Sequence, residues 1–183
     1  MTSDLWGSVT GTARFDWYDW QGNPVEVNTT STVDFEVGAL NTTKVLQTFT
    51  NSSLSGRDVN DVVLRMSVEA QGSLPNSNTS QTFRHENWFH PSNLRSANLV
   101  DPGLELTYSE DTKNFTVTAT SGVAAWVWLD YPSGAGVNFD SNGFWLAAND
   151  SREVGYTVRS DTTNGNWLDG VTVQSLWNQT LSS

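Results

Sequence analysis

The chain has 183 residues, enough for one large domain or two small ones. Nine basic against 20 acidic side chains give a net charge of −11 with no cluster of Lys or Arg, which argues against nucleic acid as a partner. The absence of Cys excludes disulfide staples, thiolate zinc sites and cysteine nucleophiles, so stability has to come from packing, for which nine Trp, eight Phe and four Tyr supply the area.

Period-two alternation dominates the chain and no long stretch keeps a helical repeat, so the predicted class is all-β. The first half is expected to form strands near residues 8–18, 25–37, 43–50, 60–71 and 79–89. Val33, Phe35 and Val37 fall on one face with Asp34 and Glu36 on the other. Val62, Leu64, Met66, Val68 and Ala70 repeat that pattern against Arg65, Ser67 and Glu69, as half-buried antiparallel strands do. Residues 19–24, Asp-Trp-Gln-Gly-Asn-Pro, are predicted to turn a hairpin, and residues 52–56 and 72–78 to be loops. Pro91 follows the last of these strands, and the boundary between two domains is placed near residues 90–96.

In the second half the predicted strands lie near 97–100, 104–109, 114–120, 124–131, 136–146, 153–159 and 171–177. Seven short strands with turn signals between them match an immunoglobulin-like sandwich. The expected architecture is therefore two tandem antiparallel immunoglobulin-like β-sandwiches, over 1–91 and 92–183. The first shows only five strands and begins almost at Met1, so it is expected to be N-terminally truncated, with further strands upstream in a parent chain.

No apolar run is long enough to cross a bilayer, and the segment Met1-Thr2-Ser3-Asp4-Leu5-Trp6 has neither the basic nor the apolar part of an export signal. Asn-x-Ser/Thr sequons stand at Asn28, Asn41, Asn51, Asn78, Asn114, Asn149 and Asn178, against roughly four expected by chance in a chain so rich in Asn, Ser and Thr. These are the predicted N-glycosylation sites, and they point to a secreted protein whose signal peptide is not in this chain.

Residues able to carry chemistry are scattered. Glycoside hydrolysis needs two carboxylates facing across a cleft. The candidates are Asp16 with Asp19, Glu86, Asp101 with Glu105, Asp130, Asp140 and Asp150, and no pair stands out by spacing, so no catalytic residue is assigned. His85 and His90 differ by an odd number and should point to opposite faces of a strand, which removes the two-His zinc geometry of a helix. Glu86 is expected to bond to neighbouring backbone and Asn87 to order the approach to Pro91. No calcium loop, phosphate loop, Gly-x-Ser-x-Gly elbow or dinucleotide fingerprint occurs, and no cofactor or metal is predicted.

The aromatic residues carry the real ambiguity. Trp126, Trp128 and Asp130 share one face of a strand, and Val127, Leu129 and Tyr131 the other. Exposed Trp rings would stack on sugar faces, whereas a buried central strand, apolar on both sides, gives the same sequence. Packing is the expected reading, with Phe144-Trp145-Leu146, Trp167 and Trp177 as partners.

Several runs resemble one family. His85-Glu86-Asn87-Trp88-Phe89-His90-Pro91 and Leu99-Val100-Asp101-Pro102-Gly103-Leu104 are similar to the junction of the last two modules of fungal β-mannosidases of glycoside hydrolase family 2. The run from Gly122 to Pro132, Asn142-Gly143-Phe144-Trp145-Leu146 and Gly155-Tyr156-Thr157-Val158 resemble the final immunoglobulin-like module, and the run from Val171 to Leu181 resembles the C-terminus of the secreted, A-type enzymes. The resemblance implies a parent that releases terminal, non-reducing β-D-mannose with retention, using two Glu on an upstream (β/α)₈ barrel. Nothing here aligns with that barrel, so the chain alone is expected to hydrolyse nothing. The partners implied are the barrel and neighbouring domains, a second copy at a dimer face or, if the modules bind polysaccharide independently, mannan oligosaccharide.

Overall fold

A computed structural model describes residues 1–74 and 79–181, which form two compact units, Met1–Asp19 with Asn23–Asn98, and Trp20–Gly22 with Leu99–Ser183. Both are built of antiparallel strands, as the alternation predicts.

The first unit holds one four-stranded sheet of β1 (Val9–Asp19), β2 (Thr32–Val37), β3 (Val62–Ser73) and β4 (Ser80–Phe89), in the order β2-β1-β3-β4. The register puts Ala13 opposite Val33 and Val68, and Trp17 opposite Leu64, so the apolar sets of three strands meet on one face. Val9, Ala13, Phe35, Val37 and Ala70 form one buried cluster there, and Trp17, Leu54, Val62 and Leu64 another. The opposite face carries Thr12, Arg14, Ser67, Glu69, Arg84 and Glu86.

Two predicted strands do not form as drawn. Only Thr32–Val37 of the stretch 25–37 forms a regular strand: the Val25 amide still donates to the Trp17 carbonyl of β1 at 2.8 Å, but the Asn28 amide donates to the Ser53 carbonyl at 3.0 Å and leads the chain off the sheet before it returns at Ser31. Residues 43–49 carry no regular structure. The predicted loop at 52–56 overlaps a short helix, α1 (Thr50–Leu54), which buries Leu54 and ends where Ser55 (φ 52°) and Gly56 (φ 85°) enter the left-handed region. At 72–78, Gly72 and Ser73 extend β3, and 75–78 lie outside the described residues.

The second unit begins in irregular chain. Residues 97–100 form no strand, and Pro102, which lacks an N–H, follows. Its strands are β5 (Leu104–Ser109), β6 (Asn114–Ala119), β7 (Ala124–Asp130), β8 (Ala135–Phe139), β9 (Phe144–Leu146), β10 (Ser151–Val154), β11 (Tyr156–Asp161) and β12 (Thr172–Gln174). They pair as β10-β6-β5, β11-β8 and β12-β7-β9. The predicted strand 136–146 is split where Gly143 (φ 72°) donates to the Val127 carbonyl at 2.8 Å. The predicted strand 153–159 changes sheets at Gly155, where a Cβ would stand 2.7 Å from the Asp140 carboxylate. Beyond β12 the predicted strand becomes a helical turn, α2 (Leu176–Thr180), whose Asn178 Oδ1 accepts from the Ser175 amide at 2.8 Å.

These pieces close around one core. Phe115, Val117 and Ala119 of β6 face inward at alternate positions and meet Val127 and Leu129 of β7, Val137 of β8, Val154 of β10 and Trp167. Phe115 is 1% exposed, with the rings of Tyr108, Phe139, Tyr156 and Trp167 all within 6.3 Å of it, centroid to centroid. Burying a side chain of this size is worth about 1.5–3 kcal/mol relative to leaving it in water.

Candidate functional site

The acidic candidates do not converge; most serve local structure. Asp19 closes the β1 hairpin by accepting from the Asn23 amide at 2.8 Å and its Nδ2 at 2.9 Å. Asp101 accepts from the Gly103 amide at 2.9 Å, and Asp130 from the Tyr131 amide at the same distance. Asp16 lies across from Arg65 in the sheet, Glu105 is exposed on β5, Asp140 is exposed beside Gly155, and the Asp150 carbonyl holds the Ala119 amide. Among the described residues no three of His, Asp and Glu form a cluster that could hold a metal ion.

Glu86 bonds to side chains rather than to the neighbouring backbone expected for it. Its carboxylate accepts from Arg65 Nη2 at 2.6 Å and Nε at 2.8 Å, and from Trp88 Nε1 at 2.8 Å. Asn87 Oδ1 accepts from the Trp88 amide, one step short of the predicted approach to Pro91. His85 faces Val68 across the sheet, while His90, beyond the end of β4, has Nδ1 2.7 Å from the Ser92 carbonyl.

The polar face of the first sheet is a shallow groove of about 1100 Å³ lined by Thr12, Arg14, Asp34, Glu69, Arg84 and Glu86, among others. Across its strands Arg84 pairs with Glu69 at 2.9 Å, and the Thr12 hydroxyl donates to Asp34 at 2.7 Å. Such exposed pairs contribute well under about 1 kcal/mol each, and an acid already bonded to an Arg is poorly placed to transfer a proton.

The second candidate is aromatic. The strand reading places Trp126, Trp128 and Asp130 on the face opposite Val127 and Leu129, and that is where they lie. The expected burial on both sides fails at Trp126, which is 44% exposed. A bulge between Ala124 and Val127 puts Trp126 at φ 53°, in the left-handed region, where a bulky residue is strained by roughly 1–3 kcal/mol. Its ring lies 6.0 Å from Trp145, which stacks in turn at 6.2 Å and 26° on Trp20. The turn predicted over residues 19–24 forms, the Asp19 amide donating to the Asn23 carbonyl at 3.0 Å, but Trp20 within it is 1% exposed, its carbonyl accepts from the Val123 amide, and it belongs to the second unit. The signal available in the sequence was the residue itself, since a solvent-facing turn has no use for the largest apolar side chain.

Tyr156 and Asp161 are electrostatically perturbed. Partial burial and a hydroxyl contact at 3.1 Å with Tyr108 push Tyr156 up to about 12. The hydroxyl and amide of Thr163, both 2.7 Å from Asp161 Oδ1, hold that carboxyl below its usual range. Both stabilise loop or core geometry of the second unit.

Of the sequons, Asn28, Asn41 and Asn149 are exposed, whereas Asn114 and Asn178 are half-buried. Asn51 lies in α1, and Asn78 is outside the described residues.

Two strand-built units with antiparallel sheets define a class of immunoglobulin-like modules. Comparison with known families agrees: residues 1–92 match the family described as "Mannosidase Ig/CBM-like domain" and residues 99–179 the mannosidase "Ig-fold domain". The chain is 47% identical over 183 residues to Beta-mannosidase A of Aspergillus flavus, 45% over 181 to that of Aspergillus niger and 44% over 185 to that of Aspergillus terreus. These alignments take in 99%, 98% and 100% of this chain and 20%, 19% and 20% of the relatives, so the chain spans about a fifth of their length. It belongs to the β-mannosidase family, as a C-terminal, immunoglobulin-like region.

Proposed function

We propose that the chain is the scaffolding part of a larger secreted, N-glycosylated β-mannosidase of glycoside hydrolase family 2. The parent would remove terminal non-reducing β-D-mannose from mannan oligosaccharides on a (β/α)₈ barrel, and these modules would pack against that barrel or its neighbours. The supporting observation is that, among the described residues, Asp19 and Asp101 are engaged in turns and Glu69 and Glu86 in cross-strand pairs with Arg, not held free as glycoside hydrolysis needs its two carboxylates. In an assay with 4-nitrophenyl β-D-mannopyranoside the chain alone is expected to release no nitrophenol; turnover that survives repurification would overturn the reading.

One observation favours a second reading, in which the region binds mannan in its own right. Trp126 presents nearly half its surface to solvent at the cost of a strained backbone, and it continues a file of Trp rings. Calorimetric titration with mannohexaose decides between them. Heat of binding that disappears in Trp126→Ala supports the binding role, and its absence in the unmodified chain removes it.

A further inference from the structure

The apolar face of the first sheet is only partly covered. Phe15, Met66 and Val68 are half-buried, and Phe83 and Phe89 of β4 are 37% and 43% exposed on the same face. The sheet order β2-β1-β3-β4, with β1–β2 and β3–β4 adjacent in sequence, is that of the C′, C, F and G strands of an immunoglobulin fold. In that fold the partner sheet contains strand E, which comes just before F, and strand B, which comes just before C and pairs with E. Residues 43–49 occupy the place of E, and residues 1–5 that of the end of B.

The pairing between them is half made. Met1 and Thr43 exchange two hydrogen bonds at 2.8 Å, Thr2 bridges Thr42, and the Ser3 amide donates to the Asn41 carbonyl at 2.9 Å. This is an antiparallel ladder in which partner numbers sum to 44 (1 + 43, 2 + 42, 3 + 41). On the other side the chain continues through Lys44, Val45, Leu46 and Gln47, and among the described residues none of their amides or carbonyls has a recorded backbone hydrogen bond. Val45 nonetheless packs on the buried cluster of Val9, Ala13, Phe35, Val37 and Ala70.

From this open ladder we infer that residues 44–48 are a docking edge for a β-strand that continues the Met1–Leu5 strand in the N-terminal direction within a longer polypeptide, closing a second sheet over Phe15, Met66 and Val68. The inference rests on the reading of the chain as a region of a longer mannosidase, whose relatives are about five times its length. The register fixes the details. Hydrogen-bonded pairs fall on Met1–Thr43 and Ser3–Asn41, so the incoming strand bonds the amides of Val45 and Gln47 and leaves those of Lys44 and Leu46 pointing away. Its residue opposite Val45, two before Met1, shares the buried face and is apolar.

The test is amide hydrogen exchange followed by NMR on the 183-residue chain and on the same chain preceded by the segment that lies immediately upstream in Beta-mannosidase A of Aspergillus flavus. In the extended chain, exchange at Val45 and Gln47 is expected to slow by about a hundredfold relative to the unextended chain, with Lys44 and Leu46 unchanged. A Pro placed two residues before Met1 removes the amide that bonds the Val45 carbonyl and should abolish the slowing while β6 and β7 stay protected. No slowing at Val45 and Gln47, or equal slowing at all four residues, overturns the inference and leaves the mannosidase reading to its own assay. Protection in the unextended chain that rises with protein concentration also overturns it, since a second copy would then be the occupant.

Discussion

The two units start from the same material, short strands of alternating polarity, and end in different states of closure. In the second, β6 buries Phe115, Val117 and Ala119 to 1% exposure or less, because strands on both sides of the core belong to the same unit. In the first, β3 has as regular an apolar face, yet Met66 and Val68 remain half-buried and β4 is exposed along nearly its whole length. The alternation in a strand's sequence specifies which face seeks burial; whether it is buried depends on a second layer.

Matched deletions on the two faces give the largest effect. Phe115→Ala removes a ring enclosed by four aromatic neighbours and should cost about 3–5 kcal/mol in urea unfolding. Phe83→Ala, on the open face, should cost less than about 1 kcal/mol. Equal costs would mean that the first face is already closed and would break the comparison.

Gly22→Ala is next. Gly22 has φ 87° and a Cβ there would collide with Ala148 Cβ, both within the second unit. A loss of about 1–3 kcal/mol is expected, seen as a lowered Tm, because strain and overlap add. An unchanged Tm would show that Trp20–Gly22 is not part of that core.

The smallest effect sharpens the picture at alkaline pH. The Tyr156 hydroxyl titrates near 12 when folded against 10.0 in the reference state, so the folded form holds its proton more tightly. Its contribution is complete below pH 10 and is lost as pH rises towards 12. Melting curves across that range should show the second unit losing stability, and Tyr156→Phe should flatten the decline. A slope that persists in the variant would assign it to other groups.

How far the sequence carried the structure follows the same division. Strands β5, β6 and β7 lie almost where alternation put them, since each finds its hydrogen-bonding neighbour within the chain. The predicted strand at 43–50 has the right side chains, with Val45 packed on the core, but a strand is defined by pairing, and among the described residues only Thr43, opposite Met1, has a strand partner. Trp126 was placed on the correct face and with the wrong burial, because a bulge with a positive φ cannot be seen in residue types. The chain turns over 19–24 as Gly22, Asn23 and Pro24 predict, but those residue types say nothing of the Trp20 ring, which is buried and stacks on a residue far along the chain. Glu86 found Arg65 and Trp88 through strand register, and register is fixed only once β3 and β4 are paired.

Native-state hydrogen exchange on the unextended 183-residue chain tests the central contrast most directly. The amides of β6 and β7 should exchange only through global unfolding of the second unit, while Val45 and Gln47 exchange at nearly the rate of an unstructured peptide. Comparable protection at both places would contradict it, and the first unit would then be a finished domain.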